Sequence, residues 1–168
     1  MKLFGPPPLK ESPHALSAFA FPVKFLERKE IGARPEVLMV RYILVRFPWF
    51  GIFVHHFLRS DYDRALHDHP WPFVALVLKG GYDEEHDQTI RNDKTTVHHG
   101  PGSVLVRSAE WRHRVLLGEG CTSWSLVLVG RRQREWGFFT SSGWCLWRKF
   151  NPYKNVCEEN EWREGDGD

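Results

Sequence analysis

The stretch Leu66-His67-Asp68-His69-Pro70-Trp71-Pro72-Phe73-Val74-Ala75-Leu76-Val77-Leu78-Lys79-Gly80-Gly81 decides how this chain is read. Its front half sets two histidines two residues apart, and its back half is a run of β-formers that stops at a glycine pair. Along a strand, side chains alternate faces, so His67 and His69 point the same way and both imidazoles can reach one point. A dyad alone does not make a metal site, because a divalent ion with an open position needs at least a third protein ligand. Working outward, the segment from Pro101 to Leu117 supplies one: His113, in a second strand-like run that ends in a turn at Gly118-Glu119-Gly120.

Residue types and spacing together resemble the cupin superfamily. The first motif of that family reads G(x)5HxH(x)3-4E(x)6G; Asp61 stands at its first Gly, His67 and His69 fill HxH, Phe73 stands at Glu, and Gly80 closes it. The second reads G(x)5PxGxxH(x)3N, where Gly102, Ser108, Glu110, His113 and Leu117 take the places of Gly, Pro, Gly, His and Asn. The resemblance covers roughly the middle third of the chain. It implies an all-β fold, a cupin jelly-roll (double-stranded β-helix) barrel, with one divalent metal ion held by His67, His69 and His113. Phe73 in place of the acidic ligand leaves two readings, a three-histidine site with neutral ligands or a barrel that has lost its metal. A fourth ligand can come from another histidine, His55, His56, His86, His98 or His99, of which His86, following the first motif, is preferred, or from a carboxylate, Asp61, Asp63, Glu84 or Glu85, among which nothing in the spacing selects.

Around the motifs the texture is β throughout. Gly5-Pro6-Pro7-Pro8 is incompatible with helix or central strand, whereas Ser12-Pro13 can open a short helix over Ala15 to Glu30, interrupted at Pro22. Residues 1–34 therefore read as an extended or short helical N-terminal arm. From Pro35 to Pro152, about ten short strands punctuated by glycine and proline form the barrel, beginning with a hairpin of Val37–Arg46 and Ile52–Leu58. Residues 153–168 read as an acidic C-terminal tail.

Three neutral imidazoles leave a divalent metal with its full charge and open positions, which favours an anionic substrate and, for iron, dioxygen. This ligand set, and only the ligand set, is similar to that of thiol dioxygenases. Fe(II) is the preferred ion, with Zn, Ni or Mn compatible, and an Fe(II)-dependent dioxygenase acting on a small molecule is the leading expectation. A non-redox isomerase or lyase and a non-catalytic ligand-binding barrel are the alternatives. Arg107, an even number of residues from His113, is expected to face the cavity and bind substrate. So is Arg134, which shares a face with Arg132 if residues 131–136 run as a regular strand, and Trp136 adds an indole at the mouth.

A net charge of +2, with arginines interleaved among acids, provides no basic stripe for nucleic acid. No long uncharged apolar window marks a membrane span. Cys121, Cys145 and Cys157 are odd in number and lack ligand spacing, so neither a disulfide framework nor a zinc ribbon is expected and a cytoplasmic setting fits. The apolar outer face of the early strands, with Trp49 and Phe50, offers a homodimer interface by family analogy.

Overall fold

The computed structural model describes residues 24–32, 37–61, 65–87 and 94–160. In chain order the strands are β1 (Lys24–Ile31), β2 (Met39–Arg46), β3 (Gly51–Phe57), β4 (Leu66–His67), β5 (Phe73–Lys79), β6 (Tyr82–His86) and β7 (Thr95–His99). There follow β8 (Val104–Arg107), β9 (His113–Leu116), β10 (Ser123–Val129), β11 (Gly137–Thr140), β12 (Gly143–Leu146), β13 (Phe150–Asn151) and β14 (Val156–Cys157). Two six-stranded sheets, ordered β1-β2-β3-β10-β5-β8 and β12-β11-β4-β9-β6-β7, face each other, and β13 pairs β14 apart from both. Every pairing is antiparallel. Among the described residues the one helical element is a single 3-10 turn, Trp147–Lys149.

Strand alternation builds the core. In β10, Ser123, Ser125, Val127 and Val129 are buried while Leu128 is exposed, so one side of the strand faces the opposite sheet and the other faces out. Phe53 from β3, Val77 from β5, Leu105 from β8 and Val115 from β9 join that inner side. Each buries enough apolar area to contribute about 1.5–3 kcal/mol.

The opening stretch is divided between the sheets: β4 belongs to the second and β5 to the first. Pro70-Trp71-Pro72 carries the chain across, since proline has no amide donor to give a ladder. The carbonyls remain useful: Gly130 N donates to Pro72 O at 2.9 Å and Gln133 N to Pro70 O at 2.7 Å, fastening the crossing to the loop after β10.

Several expectations need correction. The helix considered over Ala15 to Glu30 does not extend through its second half; Lys24–Ile31 is strand β1, paired with β2 at the sheet edge, and residues 1–23 lie outside the described set. The last strand of the second sheet, β12, stops at Leu146 and gives way to the 3-10 turn. Residues 153–157, assigned to the tail, turn back as β14. Cys145 and Cys157 form a disulfide with their Cα atoms 5.6 Å apart, and Cys121 is free and exposed. Sequence spacing could not reveal this, because the chain between the two cysteines runs through the 3-10 turn and the β13–β14 hairpin before Cys157 returns to Cys145. With the pairing goes the ground for expecting a reducing compartment. Among the described residues no helix is long and apolar enough to cross a membrane.

Candidate metal centre and its cavity

His67 on β4 and His113 on β9 are direct cross-strand partners, so their side chains leave the sheet on one face. His69 lies just past the end of β4. The residue before a proline is held extended, and its amide donates to Ala109 O at 3.0 Å, which keeps the ring on the same side. The alternation argument from sequence thus reaches the right face through a two-residue strand and a proline, not through one continuous strand. The ring nitrogens of the three histidines lie within 4.8 Å of one another, with His69 Nε2 2.7 Å from His113 Nε2.

Their electrostatics suit a cation. Burial lowers His67 to about 4, with His113 adding to the effect and Asp61 and Glu84 opposing it. Burial, then His113 and His67, holds His69 well below the ordinary imidazole range. Both rings are neutral at pH 7, so each has a bare nitrogen. The His113 Nδ1–H donates to Glu84 Oε1 at 2.7 Å, which turns its Nε2 lone pair toward the other two rings. Three imidazoles with a carboxylate behind one of them fit a borderline divalent ion.

Glu84 is fully buried and is a hub. It also accepts from Arg107 Nη2 at 2.6 Å and Nε at 3.2 Å, from His99 Nε2 at 3.0 Å and from Trp111 Nε1 at 3.0 Å. Burial works against its charge, yet the bonds from His113 and Arg107 hold its pKa well below the usual carboxylate range. Sequence reasoning offered Glu84 as a ligand; the structure puts it behind one. Asp61 Oδ2 accepts from Val115 N at 2.6 Å and lies 3.8 Å from His67 Nδ1, tying the loop before β4 to β9. Glu85 is occupied by Arg114 and Lys94, each at 2.8 Å, and His86 packs on Trp111 with ring centroids 4.9 Å apart. Asp63 lies outside the described residues. Phe73 takes the place of the missing carboxylate: its ring centroid is 4.8 Å from that of His69 and 6.1 Å from that of His113.

The histidines open into a cavity of about 660 Å³ between the sheets, walled by Phe53, Phe57, Trp71, Phe73, Trp136 and Phe138. Trp136 is thus at the cavity, stacked on Trp147. Arg107 and Arg134 are not. A turn at Ala109-Glu110 separates β8 from β9, and the two strands belong to opposite sheets, so the even spacing of Arg107 from His113 carries no common face. Arg107 is instead held by Glu84 and lies over Trp111 at 4.3 Å. Residues 131–136 form a loop and not a strand, and Arg134 pairs with Asp68 at 3.1 Å.

Asp68, between the two histidines in sequence, was not singled out. It is fully buried and accepts from Gly137 N at 2.7 Å and Trp144 Nε1 at 3.1 Å, anchoring the histidine segment to β11 and β12. Arg41 also went unread, although a charge between Met39 and Ile43 on the inward row of an apolar strand was a visible signal, and His55 was considered only as one of several reserve ligands.

No family model and no curated protein matches the chain. Solved structures do. The iron(II) form of HppE aligns at 17% identity with a TM-score of 0.50, covering 61% of this chain and 56% of that one. Its complex with substrate aligns at 15% identity and TM-score 0.50, covering 61% and 55%. The polyketide cyclase RemF from Streptomyces resistomycificus aligns at 19% and 0.49, covering 65% and 77%. The chain spans little more than half the length of the HppE chains it matches. The likeness is one of fold, and the fold is the cupin jelly roll.

Proposed function

We propose, from a cupin barrel that closes three histidines on one apolar cavity, that this chain is a metal-dependent enzyme acting on a small molecule, and specifically an Fe(II)-dependent dioxygenase. The observation that carries the reading is the ligand set: three ring nitrogens within 4.8 Å of one another, with a phenyl ring where a fourth, anionic ligand would come. Iron(II) held there would supply redox chemistry toward dioxygen, and its uncompensated charge favours an anionic partner. The protein's own groups supply the rest. Glu84 fixes the tautomer and orientation of His113, and Phe73 keeps a carboxylate and bulk water away from His69. Trp136 offers a flat apolar wall to the substrate.

Protein purified without chelator or an affinity nickel column should contain one divalent ion per chain, and His113→Ala should reduce that content to background while leaving the β-rich circular dichroism spectrum intact. Parent-like metal content in His113→Ala would sink the site. Given iron and a turned-over substrate, dioxygen consumption separates the dioxygenase from an isomerase or lyase; turnover without it would retain the metalloenzyme and discard the oxygenase.

A homodimer is part of this reading, its surface extending from the early strands, where Trp49 and Phe50 are exposed, to the other edge of the same sheet. Leu128, Val74 and Val106 form one exposed row across β10, β5 and β8, at 47%, 37% and 70% exposure, with Val104 beside it at 64%. A contiguous apolar row at a sheet edge is the kind of surface a second copy covers. Sedimentation should give twice the chain mass, reduced to the monomer by Val106→Glu; a monomeric parent refutes the dimer.

A further inference from the structure

The cavity has a second polar feature, away from the histidine strands. Arg41 on β2 and His55 on β3 are direct cross-strand partners, and both line the cavity together with His67, His69 and His113. Arg41 Nε donates to His55 Nε2 at 2.9 Å, which places the His55 proton on Nδ1. The guanidinium lies 5.4 Å from the centre of the Phe53 ring. Among the described residues no acceptor meets its terminal amino groups and no carboxylate pairs with it; the charged neighbour that acts on it is Arg46, of like sign. Burial pushes Arg41 down to about 10, with Arg46 adding to the effect, so it is still charged at neutral pH. Burial and Arg41 hold His55 well below the ordinary imidazole range, so the pair carries a single positive charge. Both groups are close enough to His69 to disfavour its protonation.

A half-buried charge without a counter-charge costs stability, and the arginines expected from sequence to meet an anion, Arg107 and Arg134, are neutralised by Glu84 and Asp68. Arg41 has no such partner, and its surface faces the cavity. We propose that Arg41, backed by His55, is the anion-binding subsite of this cavity, and that its ligand is a small monocarboxylate with an apolar body. The inference rests on reading the cavity as a substrate site and names the class of substrate. One planar guanidinium, with its terminal amino groups free, matches one carboxylate in a two-pronged arrangement. His55 occupies Nε and so holds the fork in one orientation. A single positive charge in an apolar pocket suits a monoanion, while Phe53, Phe57 and Trp71 suit an aromatic or branched aliphatic body. The volume of about 660 Å³ is that of a pocket for a molecule of modest size.

The probes are 3-phenylpropionate and its neutral amide, 3-phenylpropanamide, titrated calorimetrically into the full chain, metal-loaded and metal-depleted. The carboxylate should bind both forms, and the amide should bind about tenfold or more weakly, the difference a hydrogen bond to a charged group makes. Arg41→Met should bring the carboxylate to the level of the amide, with metal stoichiometry at the histidines unchanged; Arg41→Lys should retain part of the preference. The comparison of the two probes on the parent stands even if a variant fails to fold. Absence of carboxylate binding to the parent, equal binding of the amide, undiminished binding by Arg41→Met, or carboxylate binding that appears only with metal each overturns the subsite. A parent that binds no metal would sink the metalloenzyme reading while the metal-depleted titration still decides this one.

Discussion

Replacing Glu84 with alanine is expected to cost about 3–5 kcal/mol of stability and to weaken metal binding by about 10- to 100-fold. Glu84 is fully buried, and its two oxygens accept from His113, Arg107, His99 and Trp111. Removing the carboxylate strands the Arg107 guanidinium, whose side chain is only 16% exposed, without a counter-charge. That loss, and not the worth of any single bond, accounts for most of the energy, because an unpaired buried charge forfeits its hydration for nothing. The metal effect has a different cause. His113 Nδ1 would lose the acceptor that keeps the proton on that nitrogen, so the Nε2 lone pair would no longer be committed to the site. Glu84→Gln keeps the shape and should fall between parent and alanine on both measures. Urea unfolding and competitive metal titration read the two effects separately. A Glu84→Ala protein within about 1 kcal/mol of the parent, with parent-like metal affinity, would mean the carboxylate neither holds Arg107 nor orients His113.

Gly80→Ala is expected to be nearly as damaging, at about 2–4 kcal/mol, the sum of backbone strain and a steric shift. Gly80 sits at the end of β5 with φ of +81°, in the left-handed region that side chains resist. A Cβ there would fall on the backbone carbonyl oxygen of Thr122, just before β10, and a backbone atom cannot rotate away as a side chain would. The turn at Gly80-Gly81 takes the chain from the first sheet to the second and so sets the entry of β6, which carries Glu84. Gly102→Ala is the control: its φ is +88°, but nothing lies within 4 Å of its Cβ position, so it should pay the backbone strain alone, about 1–2 kcal/mol. Denaturant midpoints of the two variants decide the matter. If Gly80→Ala costs no more than Gly102→Ala, the close approach to Thr122 is not what demands glycine.

These two residues mark the limits of what could be read in advance. Gly80, Gly102 and the three histidines stood out because a β protein writes its turns locally: glycine is needed wherever φ is positive, and a strand of period two fixes which residues share a face. The same local rules located β2 and β3 as a hairpin and β5 as a strand that stops at the glycine pair. The sequence by itself therefore determined the all-β fold, the sites of the main turns and the three histidines as a set, while the family resemblance put Phe73 at the acidic position. It did not determine which side chains meet across the two sheets. His67 and His69 share a face only because Pro70 ends the strand in an extended state, and Arg107 parted from His113 because β8 and β9 belong to opposite sheets. Charge partners are set by these long-range pairings and not by spacing. Glu84 captured Arg107 and Asp68 captured Arg134, while Arg41, read in the chain as one more strand residue, remained a half-buried cation with no carboxylate among the described residues. The Cys145–Cys157 bond has the same origin, a meeting of β12 with β14 that no spacing rule encodes. Tertiary structure decided these points because an ion pair or a disulfide depends on the distance between two side chains, and that distance exists only once both sheets are in place.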